Sequence, residues 1–233
     1  MLRKRQLLKH PSFVSVRRYW VDSVREPCSL DNKYTVTIEY EFYNRSLENK
    51  IKQYCEERRP FPELELRRAF SGVVMCLKYL EENQTCHGDV KPQNILFDWK
   101  QPESNAYLLD SYFINGGKMS SEMVMEDPES MSLLSPQQLE NLRNKKFGNI
   151  DNIHKDEIFA VGLTMLEAMT AEPAMECYDL KNLTIKSGYF DEKYQEMREY
   201  GYSEELASLV TSCLHLRPES RPTFDKFLAI LKC

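Results

Sequence analysis

The chain has 233 residues, 42% hydrophobic and 29% charged, with a formal net charge of -5; that is enough for one large domain or two small ones, burying roughly 70–75% of the unfolded surface. The acidic balance argues against nucleic acid as a partner, because neutralising phosphates takes clustered Lys and Arg. No apolar run approaches the ~18 residues of a membrane span, and seven scattered cysteines without a C-x-x-C pair argue against a disulfide framework or zinc site and for a reducing, cytoplasmic setting.

In chain order, residues 1–9 read as the end of a helix stopped before Pro11. Arg3, Lys4, Arg5, Lys9, Arg17 and Arg18 stand in the first 18 residues without one acid, which reads as a solvated basic face. No apolar stretch of signal-peptide length is present there. The β-branched and aromatic runs Phe13–Trp20 and Tyr34–Tyr43 predict two strands, with a turn over Cys28–Lys33. Residues 46–57 predict a short helix capped by Ser46. Over Glu63–Asn83 the residues Leu66, Phe70, Val73, Val74, Leu77 and Leu80 recur at three- and four-residue steps, which predicts an amphipathic helix.

Residues 87–97 predict a loop entering the short strand Ile95-Leu96-Phe97, and Ala106–Leu109 predicts another strand. The stretch 111–135 lacks periodicity and reads as a long loop. Glu157–Thr170 is apolar on nearly all sides, the pattern of a helix buried inside a larger helical body. Ser203 predicts the cap of a further helix carrying Leu206, Leu209, Val210 and Leu214, with Glu204 and Glu205 well placed in its first turn. Thr223 opens the last helix, with Phe224, Phe227, Leu228 and Leu231 inward. A few strands followed by helices predict an α+β fold in two lobes.

His87-Gly88-Asp89-Val90-Lys91-Pro92-Gln93-Asn94 resembles the catalytic loop of protein kinases, with Asp89 and Asn94 five apart as in H-R-D-L-x-x-x-N. Three later segments carry the same resemblance in the family's order. Leu108-Leu109-Asp110-Ser111-Tyr112 stands where the family has D-F-G. Leu134-Ser135-Pro136-Gln137 resembles A-P-E. Arg217-Pro218-Glu219-Ser220-Arg221-Pro222-Thr223 resembles R-P-x-x-R-P-T, and Phe159-Ala160-Val161-Gly162 resembles the central helix. The resemblance implies a protein-kinase-like α+β fold using ATP and Mg²⁺. In it Asp89 orients the attacking hydroxyl, Lys91 offsets charge on the transferring phosphate, and Asn94 and Asp110 bind the metal with its nucleotide. Lys91, two residues after Asp89, is the serine/threonine form. Small-molecule kinases of the aminoglycoside type share H-G-D-x-x-x-x-N but usually carry His where Lys91 stands and lack the two later segments.

The departures are equally specific. Lys9-His10-Pro11-Ser12-Phe13-Val14 resembles the K-H-P-N-I-V after the family's regulatory helix, whose glutamate would fall on Met1. On that count the Gly-rich loop, the β3 lysine and its glutamate precede residue 1. Residues 1–43 are then a remnant of the β-rich lobe (helix end, two strands, hinge), and 44–233 the helical lobe. Gly88 replaces the arginine that reads an activation-loop phosphate, although Ser120, Ser121, Ser130 and Ser132 remain candidate phosphosites. Ser111-Tyr112 replaces Phe-Gly, with Tyr112 or Phe113 the candidates to fill the Phe site. Gln137 replaces the glutamate partner of Arg221. Glu157 falls where the central helix has Asp, with Asp156 as the neighbour that serves only if an extra residue is accommodated.

Val14, Val16, Tyr19, Trp20, Tyr34, Val36 and Ile38 would leave an apolar face partly uncovered, which predicts a partner or the N-terminal stub over it. Two readings therefore stand: a protein serine/threonine kinase, whose partner is its protein substrate, and a catalytically impaired kinase-like binding module. A small-molecule kinase is a remote third.

Overall fold

The computed structural model describes residues 6–14, 16–25, 32–98, 106–109, 133–145 and 152–232. Asp110, Ser111, Tyr112, Phe113, the four loop serines, most of the predicted loop 111–135, Arg3 to Arg5 and most of the Cys28–Lys33 turn lie outside the described residues.

The run expected as one strand over Phe13–Trp20 is two strands with different partners. β1 (Phe13–Val14) runs parallel to β6 (Tyr107–Leu109), where Leu108 N donates to Ser12 O at 2.8 Å. β2 (Arg18–Arg25) pairs antiparallel with β3 (Asn32–Glu39), Val21 opposite Val36. The chain changes sheets between them, a switch that a β-branched composition does not signal. β3 also ends before the predicted Tyr43: Glu39 is its last residue, and 40–44 hold neither strand nor helix. On β2, Trp20 and Val21 are exposed, whereas Val14 and Val16 are buried.

β4 (Arg45–Ser46) completes a four-stranded sheet in the order β1-β6-β5-β4, β5 being Ile95–Phe97. Ser46 then caps α1 (Leu47–Glu56) in a reciprocal pair with Asn49. α2 (Glu63–Glu82) buries Leu66, Phe70, Val73, Val74, Leu77 and Leu80 as its periodicity predicts.

The central helix, α4 (Ile153–Thr170), is buried along most of its length. It starts four residues before the predicted Glu157, because its first turn is polar and so silent to an apolar pattern. Gly162 on α4 lets α6 (Glu204–Cys213) close in: a Cβ there would meet Cys213 Cβ at 2.8 Å and Leu214 Cδ2 at 3.0 Å. Ser203 and Thr223 cap α6 and α7 (Phe224–Leu231) as expected. Two further helices are α3 (Pro136–Arg143) and the strongly charged α5 (Tyr189–Glu199). α3 does have a sequence signature, the S-x-x-Q capping box of Ser135 and Gln138. The short hairpin β7 (Tyr178–Asp179) and β8 (Thr184–Ile185) lies before α5. Strands thus lie toward the N-terminus and helices toward the C-terminus, the mixed α+β architecture expected. No helix among the described residues is long and apolar enough to cross a membrane.

Candidate active site

The loop between α2 and β5 is pinned at both ends and in the middle. Val90 is buried in the core, and Pro92–Asn94 form a 3₁₀ turn closed by Asn94 N donating to Lys91 O at 3.0 Å. His87 is fully buried. Its Nδ1 accepts from Asp89 N at 3.3 Å, which leaves Nε2 to donate to Leu109 O at 2.6 Å. The loop is thereby tied to β6 at the residue preceding Asp110.

Glu157 supplies the third anchor. Its Oε1 accepts from His87 N at 2.5 Å and from Gly88 N at 3.0 Å. The loop turns here through Gly88 at φ 75, a left-handed conformation that glycine adopts without steric cost. A buried polar side chain costs stability unless it is hydrogen-bonded, and these amides plus His154 Nδ1, 3.3 Å from Oε2, supply Glu157 with partners. Glu157, and not Asp156, therefore reaches the loop, so no extra residue is accommodated.

Between these anchors the polar side chains converge. Asn94 Nδ2 donates to Asp89 Oδ2 and Asp89 O, each at 2.8 Å. Lys91 Nζ lies 3.1 Å from Asp89 Oδ1. Asp89 and Asn94 are 7% and 8% exposed, so the carboxylate is held in one orientation yet still reaches the surface. Of the residues that the family resemblance implies, Lys91 and Asn94 each contact Asp89; Asp110 lies outside the described residues. With Nδ2 engaged by Asp89, the remaining polar atom of Asn94 is its oxygen. Oxygen donors suit Mg²⁺, which commonly takes one or two protein ligands and completes its shell with phosphate and water.

A second constellation braces the helices beneath. Arg221, fully buried, donates from Nε to His215 O at 2.8 Å, from Nη1 to Lys155 O at 2.9 Å, and from Nη2 to Gln137 Oε1 at 2.6 Å. Asp156 Oδ1 lies 3.4 Å from Nη1 and accepts from Ser135 Oγ at 2.6 Å. Burial raises the Asp156 carboxyl above its ordinary value against the pull of Ser135 and Arg221. The sequence marked Gln137 and Arg221 as partners; the share of Asp156 was not foreseen, nor was His154. The only sequence signal for His154 was its place one turn before Glu157, and for Asp156 its place next to Glu157, on a helix expected to start later.

The sequence profile described as "Protein kinase domain" matches residues 3–230. Serine/threonine-protein kinase Nek4 of Mus musculus is 24% identical over 95% of this chain and 25% of its own length. Serine/threonine-protein kinase Nek6 of Oryza sativa subsp. japonica is 26% identical over 95% of the chain and 36% of its own. The dual specificity mitogen-activated protein kinase kinase mek-1 of Caenorhabditis elegans is 25% identical over 73% of the chain and 46% of its own. The chain thus spans less than half the length of each of these relatives. With a family match over nearly all its residues, this chain belongs to the protein kinase domain family.

Proposed function

We propose that the chain transfers the γ-phosphoryl group of ATP to a serine or threonine hydroxyl of a protein substrate. The observation that carries this is the Asp89 carboxylate held between Lys91 Nζ and Asn94 Nδ2 on a loop anchored by Glu157. Phosphoryl transfer depends on positioning and charge stabilisation more than on covalent chemistry. Asp89 would accept a hydrogen bond from the attacking hydroxyl and orient it in line. Lys91 would balance charge on the transferring group, and Asn94, by its amide oxygen, would hold Mg²⁺ together with Asp110. Bound Mg²⁺–ATP supplies the phosphoryl donor and neutralises its charge. The division at residues 43 and 44 belongs to the same reading, with the segment 40–44 as the link between strand-rich and helical parts. The test is phosphate incorporation from labelled ATP into a protein acceptor. Asp89→Asn is expected to abolish it while leaving the unfolding transition in place; equal incorporation by both proteins would overturn the proposal.

A second reading, a kinase-like binding module without turnover, is favoured by Ser111-Tyr112 standing where the family has Phe-Gly. A Mg²⁺–ATP thermal-shift titration separates the two, since a ligand at 100 times its Kd stabilises by about 2.7 kcal/mol. A flat response together with absent incorporation would favour the second.

A further inference from the structure

Glu157 has two carboxylate oxygens with different duties. Oε1 receives the His87 and Gly88 amides, and Oε2 faces His154 Nδ1 at 3.3 Å. His154 sits in the first turn of α4, where the helix dipole disfavours a cation, so the helix itself gives the ring no reason to carry charge. The groups around it do. Glu81 of α2 adds a favourable negative potential, and from α7 the neutral Phe224 ring meets the imidazole edge-on at 6.3 Å. Its neighbours on α4 are turned elsewhere, Lys155 to Arg221 O and Pro222 O, and Asp156 to Ser135 and Arg221. From the loop, His87 has both ring nitrogens committed to Asp89 N and Leu109 O. His154 thus presents an ionisable ring directly to the outer oxygen of Glu157.

We propose that His154 is a positioning residue of the catalytic loop: its ring holds the outer oxygen of Glu157, so that the inner oxygen stays on the amides of His87 and Gly88, the two residues before Asp89. This rests on residues 87–94 being the catalytic loop of the proposed reaction. The relay runs from a partly exposed imidazole through a buried carboxylate to backbone, and so makes the loop sensitive to protonation. The hydrogen bond to Glu157 raises His154 above its ordinary value, against partial burial. The sign follows: the charged pair is complete below about pH 6.5 and weakens as pH rises through the raised value.

The test is hydrogen exchange at the His87 and Gly88 amides between about pH 6 and 8, corrected for intrinsic rate, which needs no turnover. In the wild type, protection is expected to fall as pH rises. In His154→Gln, which keeps a donor but never a charge, it is expected to be about fivefold lower at pH 6 and independent of pH, the scale of one charged hydrogen bond discounted for exposure. A variant with the wild-type profile overturns the inference, as does equal loss of protection throughout α4 and α6. Should His154→Gln fail to fold, the ring titration of wild-type His154 decides, and a value at or below the ordinary one overturns it. Absent phosphate incorporation with the expected exchange profile would sink the catalytic reading alone.

Discussion

Arg221 Nη2 donates to Gln137 Oε1 at 2.6 Å, and Gln137 Nε2 donates onward to Leu216 O at 2.7 Å. The neutral amide thus combines two roles that a carboxylate at this position could not: it accepts from the guanidinium, as a carboxylate also would, and it donates a hydrogen bond to a backbone carbonyl, which a carboxylate cannot. Gln137→Leu loses both bonds and is expected to cost about 2 kcal/mol of stability. Gln137→Glu strengthens the Arg221 contact by charge but sets an acceptor against Leu216 O, and is expected to stay within about 1 kcal/mol of wild type. Denaturant unfolding of the pair checks the order; glutamate as the worse substitution would refute this account.

Gly162 on α4 lies directly against Cys213 and Leu214 at the end of α6. Gly162→Ala places a Cβ 2.8 Å from Cys213 Cβ, inside contact distance. Overpacking of this kind typically costs about 1–3 kcal/mol, against which alanine's better helix propensity returns about 1 kcal/mol. A net loss of about 1 kcal/mol, or roughly 3 °C in Tm, is expected. A higher Tm would mean that the two helices separate freely.

Why some features could be read from sequence and others not has a physical basis. α2 and the buried α4 announced themselves because burial demands apolar residues at fixed steps, and Ser46, Ser203 and Thr223 because capping demands a side-chain oxygen. Asp89, Lys91 and Asn94 are close in the chain, so their spacing already bounded their geometry. The break between β1 and β2 was invisible because both halves are β-branched or aromatic enough to read as strand, and a change of pairing partner leaves no mark on composition. α5 was missed because it is charged along much of its surface, and His154 because its role depends on a contact through Glu157 to a loop 66 or more residues earlier. Asp110, read from its motif, lies outside the described residues.

Arg67 locks α2 to the C-terminal helices. It donates from Nε to Glu63 Oε1 at 2.8 Å, from Nη1 to Ile230 O at 2.7 Å and from Nη2 to Glu205 Oε2 at 3.0 Å. Glu63 also accepts from Ser203 N at 2.8 Å and Ser203 Oγ at 2.6 Å. Burial raises the Glu63 carboxyl, but the Ser203 bonds and Arg67 outweigh it and leave the group below its ordinary value. A depressed carboxyl contributes stability that is present above its unfolded value, near 4.5, and lost as pH falls through the folded one. The advantage of wild type over Glu63→Gln is therefore expected to be full at neutral pH and to shrink below about pH 4.5. Urea midpoints of both proteins across that range check it, and an advantage that grows in acid would contradict it.

Lys91 offers the sharpest kinetic prediction. Its ammonium lies 3.1 Å from Asp89 Oδ1 and is only partly exposed, while Asn94 Nδ2 independently holds Asp89 Oδ2. Removing the charge in Lys91→Met thus leaves Asp89 oriented, and stability is expected to stay within about 1 kcal/mol of wild type. On the proposed phosphotransfer, the lost interaction is one that strengthens as charge builds on the transferring group. Such a loss lowers kcat and kcat/KM together by roughly 10²–10³, with little change in KM for the nucleotide. A raised KM with unchanged kcat would instead make Lys91 a ground-state binding group, and loss of folding would make it structural. The three outcomes differ in which measurement moves, so steady-state kinetics with one melting curve is sufficient to assign the residue.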